Sequence, residues 1–295
     1  MPIVFPCVII KKINDNVLLK IKLFLGRYFM GNVKDLLSLN GKVAIVTGGR
    51  GLYGASISEG LCEMGATVVI ASRNGAKCEE YAKTLRDKGY SAVGMSLDLN
   101  DDKSISNLVE EVISRYNKID VLVNNAVDRS NLVALSEATR EKLQDSMSTN
   151  LNGQILLSQK VIEYMIKQNS GSIINVSSMR GIDCPHFPFY PESMGDQSIN
   201  YTTEKWAMIG MTKYMAGRYG KHNIRVNAIA PGGYNPGIET NPDTKEFAVN
   251  YINNCPLGRF AYDDDIKGPI VFLASDASRY VTGDTLVMDG GWTIW

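Results

Sequence analysis

The chain has 295 residues, 44% of them hydrophobic and 21% charged, with 31 Lys and Arg balanced by 31 Asp and Glu. A neutral chain of this composition is an ordinary globular protein, not a nucleic-acid binder working through a broadly basic surface. Cys7, Cys62, Cys78, Cys184 and Cys255 include no C-x-x-C, and His186 and His222 are the only histidines. These counts argue against a disulfide framework and against a bound metal, and they suit a reducing compartment, the cytoplasm.

Residues 1–30 stand apart: Lys11, Lys12, Lys20, Lys22 and Arg27 face Asp15 alone, so the remaining residues carry the compensating acidity. Lysines interrupt every apolar run, so no stretch of about 20 residues can span a bilayer. A secretory signal is rejected because no small-residue cleavage site follows an apolar core. The segment reads either as a basic amphipathic stretch or as an extension ahead of a working start at Met30, and the second reading is adopted. The expected organisation is an N-terminal extension over 1–38 and one catalytic domain over 39–295.

From Leu39 onward, apolar runs alternate with amphipathic periods. The strands expected are Val43–Val46, Thr67–Ile70, Ala92–Met95, Ile119–Val123, Ser172–Val176, Ile224–Ile229 and Thr285–Met288. Helical periods lie between them, among them Ala55–Met64, Ala76–Lys88, Asp102–Tyr116 and one long segment, Arg140–Lys167. Continuously apolar strands need both faces covered, which predicts an α/β domain with a doubly wound, seven-stranded parallel sheet and about six helices.

The first strand runs into Thr47-Gly48-Gly49-Arg50-Gly51-Leu52-Tyr53-Gly54 and then into a helix. Glycines at that junction let backbone N–H groups approach a pyrophosphate at the positive helix end. The second strand ends at Ser72-Arg73, where NAD-preferring sites place an acidic residue for the ribose. A carboxylate there would repel a 2′-phosphate, whereas Arg73 and Arg50 would pair with one. The cofactor favoured is NADP(H), with NAD(H) the alternative.

Tyr201 and Lys205 are i and i+4 on one helix, hence on one face and about 6 Å apart along its axis. A phenol with an ordinary pKa of about 10 is a poor base, and a neighbouring ammonium favours its ionised form. Such a pair can exchange a proton with an alcohol or carbonyl oxygen.

The glycine loop, Asp98-Leu99, Asn124-Asn125-Ala126, Asn150, Ser177-Ser178, Tyr201-Thr202-Thr203-Glu204-Lys205 and Pro231-Gly232 together resemble the short-chain dehydrogenase/reductase family. The likeness covers about residues 39–293. It implies a single-domain Rossmann fold and the catalytic set Asn150, Ser178, Tyr201 and Lys205. Ser178 is chosen over Ser177 because it precedes a Met-Arg-Gly run, and Asn150 would support a water-linked proton relay. The resemblance implies cofactor contacts from Thr47, Gly48, Arg50, Gly51, Tyr53, Gly54, Ser72, Arg73, Asp98 and Leu99. Further contacts follow from Asn124, Ala126, Tyr201, Lys205, Pro231 and Gly232. It also implies a homodimer or homotetramer built on the helices at 137–168.

Three departures stand out. Leu52 occupies a place the family's loop gives to glycine. The Thr expected after Pro231-Gly232 is missing from Gly233-Tyr234-Asn235-Pro236. Ser178 and Tyr201 are 23 residues apart, longer than the family's usual spacing. Tyr190 cannot replace Tyr201, because Met194 stands four residues on. The extra segment, 179–200, is therefore read as a polar substrate loop. In it, Arg180 is expected to pair with a carboxylate or phosphate, and Glu192 or Asp196 to accept sugar hydroxyls. Cys184 and His186 lack an orienting partner and are not read as a thiol nucleophile. Ser178, Arg180 and Tyr201 form the expected substrate contacts.

The sequence thus points to an oxidoreductase interconverting a secondary alcohol and a ketone on a small, sugar-like or hydroxy-acid substrate. The loop and insert resemble family branches acting in bacterial surface-sugar and flagellin-glycan biosynthesis, and gluconate 5-dehydrogenase-like members. The alternatives are a 3-oxoacyl-thioester reductase and a non-catalytic dinucleotide-binding protein.

Overall fold

A computed structural model describes residues 32–295, so the basic leader and the Met30 start lie outside the described residues. Leu37–Trp295 forms one compact unit. A short helix at Val33–Leu37 precedes the first strand, earlier than the regular pattern suggested.

Seven parallel strands form one sheet: β1 (Val43–Thr47), β2 (Thr67–Ser72), β3 (Ser91–Ser96), β4 (Val121–Asn124), β5 (Gly171–Val176), β6 (Ile224–Pro231) and β7 (Thr285–Met288). Their order is β3-β2-β1-β4-β5-β6-β7. All of β1 is buried. Alternation sends Ala44 and Val46 to one face and Val43 and Ile45 to the other. The first face packs on α1 (Leu52–Glu63), α2 (Gly75–Asp87) and, through Ile270 and Leu273, on a late helix described below. The second packs on α3 (Asp102–Tyr116) and on Leu157, Val161 and Met165. Strand order reverses between β1 and β4, so a crevice opens at their carboxyl ends, where open α/β sheets bind ligands.

Three elements differ from the sequence reading. The strand expected from Ile119 starts at Val121, because the Asp120 carboxylate turns to accept from the Val43 N–H at 2.8 Å. The helix after the glycine loop begins at Leu52, placing Tyr53 and Gly54 in its first turn. The long segment Arg140–Lys167 is broken into α4 (Arg140–Met147), a π-helical turn (Ser148–Asn152) and α5 (Gly153–Gln168). The break has a local cause. Asn150 grips the backbone of Asp128 across the turn, and Gly153 packs so closely that a Cβ would lie 2.2 Å from the Leu99 carbonyl oxygen. Single π turns recur where a helix must present a functional group.

Then follow α6 (Ile199–Tyr219), α7 (Lys245–Asn254) and α8 (Lys267–Ala274). A third apolar cluster, containing Phe247, Tyr251, Phe260 and Trp292, lies beneath residues 179–200. Tyr190 stacks on Phe247 at 4.6 Å and Phe189 meets Trp292 edge-on at 5.6 Å. The segment read as a polar loop is therefore pinned by its aromatics.

Candidate active site

A cleft of about 640 Å³ runs along the carboxyl ends of β1, β4, β5 and β6. At its floor is the glycine loop. Gly48 adopts φ +63°, and a Cβ on Gly54 would lie 2.1 Å from the Gly48 carbonyl oxygen. Gly51 caps α1 without a side-chain bond, and the first turn holds no acidic residue. Its N–H groups are thus free for a pyrophosphate, and the loop fits a dinucleotide. When bound, the dinucleotide supplies or accepts the hydride; the protein's side chains handle the proton. Arg50, Gly51, Tyr53, Ser72 and Ala126 also line this half.

Several expected cofactor residues are not among those lining this cleft. Thr47 is fully buried; its hydroxyl donates to Val123 O and accepts from the N–H groups of Asn125 and Ala126, bracing β1 against β4. Asn124 is likewise inside, donating to Ser158 Oγ and Asn175 Oδ1, and Asn125 lines the cleft in its place. Leu99 is buried against Gly153. Asp98 is off the cleft wall, its carboxylate accepting from Asn100 N. Period-two alternation explains Asn124 and Asn125: adjacent strand residues face opposite ways. Arg73 is also off the wall, ion-paired with Asp128 at 3.2 Å.

At the other end, Ser178, Tyr201, Lys205, Pro231 and Gly232 converge on the cleft. The Ser177 hydroxyl donates to Lys205 O at 2.8 Å and so anchors α6. Ser178 Oγ accepts from Arg180 N at 3.1 Å, which leaves its own proton free. Lys205 Nζ donates to Val176 O at 2.8 Å and lies 5.6 Å from the centre of the Tyr201 ring. Burial drives the Lys205 ammonium down to about 8, Glu204 opposing and Arg129 adding to the fall. Asn150, also buried, donates to Asp128 O and to Glu204 Oε2, and accepts from Asp128 N.

The substrate loop departs from its reading. The Arg180 guanidinium is committed to Cys184 O at 2.6 Å and Tyr190 Oη at 2.7 Å, so it stiffens the wall and is not held out to an anion. Glu192 is off this wall, and Asp196 lines a neighbouring hollow with Glu137. Sequence reasoning missed Arg129, which lines the cleft and has no carboxylate within 4 Å among the described residues. Its one signal is its place in the loop after β4, at the carboxyl edge of the sheet. It also missed Tyr234, which stacks at 4.3 Å on the expected Tyr53 where the expected Thr is absent; the Tyr53 hydroxyl is buried and unpartnered.

A family model described as enoyl-(acyl carrier protein) reductase matches residues 50–293. The chain is 36% identical over 262 residues to a 3-oxoacyl-[acyl-carrier-protein] reductase of Thermotoga maritima, covering 88% of this chain and all of the relative. It is 33% identical over 265 residues to a 2-dehydro-3-deoxy-D-gluconate 5-dehydrogenase of Dickeya dadantii, covering 88% and 98%. This chain belongs to the short-chain dehydrogenase/reductases. A gluconate 5-dehydrogenase from Burkholderia cenocepacia, solved with NADP and tartrate, superposes with a TM-score of 0.80 at 31% identity, covering 90% of this chain and all of that one. The protein is an NAD(P)-dependent oxidoreductase acting between CH–OH and ketone groups. Among the described residues, no helix is long and apolar enough to cross a membrane.

Proposed function

We propose that this short-chain dehydrogenase/reductase uses NADP(H) to interconvert a secondary alcohol and a ketone on a small polyhydroxylated carboxylate. Ser178 donates to the reacting oxygen, Tyr201 exchanges the proton, and Lys205 holds Tyr201 in its electrostatic field and bonds the nicotinamide ribose. Asn150 supports the relay behind Lys205. The observation that carries the substrate class is Arg129, a guanidinium on the same cleft wall as Tyr201 with no ion-pair partner among the described residues. A charge-assisted pair with a substrate carboxylate would hold the sugar acid beside Tyr201. NADP(H) is supported by Arg50 on the cleft and by Ser72 standing where an acid would select against a 2′-phosphate. The NADP and tartrate of the Burkholderia structure and the gluconate-acting Dickeya relative support the same reading.

The test is initial rates with NADPH and NADH against 5-keto-D-gluconate and acetoacetyl-CoA. Turnover of the keto acid is expected with NADPH, and Arg129→Met should raise its KM at least about tenfold with little change in kcat. Turnover confined to acetoacetyl-CoA would replace this reading with a 3-oxoacyl-thioester reductase. NADPH binding without turnover, with Tyr201→Phe indistinguishable from wild type, would make the protein a non-catalytic dinucleotide binder.

Work in the cytoplasm is part of the proposal and is supported by free Cys62, Cys78, Cys184 and Cys255. So is a homodimer or homotetramer, supported by Met147, Ile155, Leu156 and Trp206, which leave apolar surface exposed on α4, α5 and α6.

A further inference from the structure

Arg180 leaves two hydroxyls on the cleft wall in the same state. Its backbone N–H donates to Ser178 Oγ at 3.1 Å, and its guanidinium donates to Tyr190 Oη at 2.7 Å. A guanidinium only donates, so the phenol oxygen is the acceptor and its own proton stays free. Ser178 and Tyr190 both line the cleft with Tyr201. Ser178 serves the reacting oxygen, whereas nothing in the reaction yet employs the Tyr190 hydroxyl. Its ring is fixed in place, stacked on Phe247 at 4.6 Å, and the carbonyl before it, Phe189 O, accepts from Asn250 Nδ2 on α7 at 3.3 Å.

The donor is also strengthened from behind. Arg180 is only 6% exposed, and its two side-chain partners, Tyr190 Oη and Cys184 O, are both neutral. Among the described residues no Asp or Glu lines the cleft. A buried cation without a counter-ion is costly, and it polarises a phenol bonded to it, so that the phenol proton gains more from an oxygen acceptor. We infer that Tyr190 is a substrate-binding residue that donates to a hydroxyl oxygen on the substrate's carbon chain, leaving the carboxylate to Arg129 and the reacting oxygen to Ser178. The inference rests on the sugar-acid reading above and adds the group that tells a polyhydroxylated keto acid from a plain one. A methylene in place of that hydroxyl would leave the Tyr190 donor unpaired.

The experiment compares the full wild-type chain with Tyr190→Phe, which keeps the ring on Phe247 and removes only the hydroxyl. Initial rates with NADPH are measured on 5-keto-D-gluconate. The competitor is 5-oxohexanoate, the same keto acid without its hydroxyls, whose Ki is read whether or not it is reduced. In Tyr190→Phe the KM for 5-keto-D-gluconate should rise about tenfold with kcat within about two-fold, while the Ki of 5-oxohexanoate stays within about two-fold. A parallel rise in both constants would overturn the inference, because a wall that had merely loosened would weaken both compounds alike. Wild type that reduces 5-keto-D-gluconate while Tyr190→Phe keeps its KM would overturn the role of Tyr190 alone. Wild type inactive on 5-keto-D-gluconate would overturn the sugar-acid reading and this role together. A Tyr190→Phe chain that does not fold, by circular dichroism, would assign the hydroxyl to the fold and overturn its role toward substrate.

Discussion

Ser177 and Ser178 show how neighbours in one sequence can do different work. Alternation at the end of β5 points one hydroxyl back to the Lys205 carbonyl and leaves the other beside the cleft. Ser178→Ala should lower kcat/KM by about 100- to 1,000-fold, the usual cost of losing a donor to a developing oxyanion. Ser177→Ala should leave kcat within a few-fold and reduce stability by about 1 kcal/mol through the lost hydrogen bond to the Lys205 carbonyl. Steady-state kinetics and urea unfolding of the two variants separate these outcomes, and a reversed pattern would exchange the roles. Tyr201 and Lys205 were legible because helical spacing alone puts them on one face. Arg129 and Glu204 were not. An arginine on a loop and a glutamate on a helix read as solvated charges until burial and partners are known.

At the scale of elements, the alternating β-α pattern was legible because buried parallel strands must be continuously apolar. The break at Ser148–Asn152 was hidden, since it arises from a side chain reaching a distant loop and from a backbone approach at Gly153. The third apolar cluster was hidden for a related reason: Phe189 and Tyr190 sit among prolines and charges with no period to mark them. Between α1 and α8, Lys267 bonds Glu59 at 3.0 Å and Glu63 at 2.8 Å, with Asp264 at 3.2 Å. The Lys88 hydrogen bond, with Lys267 behind it, holds the Glu59 carboxyl below its ordinary range. Being depressed, Glu59 contributes stability that is present above its unfolded value, about 4.3, and is lost as pH falls through the folded value. Lys267→Met should therefore cost about 1 kcal/mol near neutrality, less in high salt, and less again near pH 3. Urea midpoints at the two pH values check this; an equal loss at both would assign the effect to packing.

For the whole molecule, the strand order came from the structure, while the glycine loop's place after the first strand of a doubly wound sheet made one end of the cleft readable before any side chain was placed. Which residues turn into it was not, because that depends on register across β1, β4 and β5. Leu37–Trp295 holds the sheet, its covering helices and every residue assigned a role in the cleft. Removing residues 1–29 should leave kcat/KM within about two-fold and the melting temperature within about 2 °C, because residues 37–295 supply the whole sheet and the cleft. A truncated chain that does not fold would make the leader part of the domain.

Asp128 carries two obligations at once. Its carboxylate pairs with Arg73, while its backbone N–H and carbonyl are both held by Asn150, which in turn donates to Glu204. An attempt to redesign nucleotide preference by rebuilding residues 127–130 would therefore disturb the lysine end of the cleft as well, and selectivity gained there would come with slower turnover. Arg50 has no such tie among the described residues, which makes the glycine loop the safer place to engineer a cofactor switch.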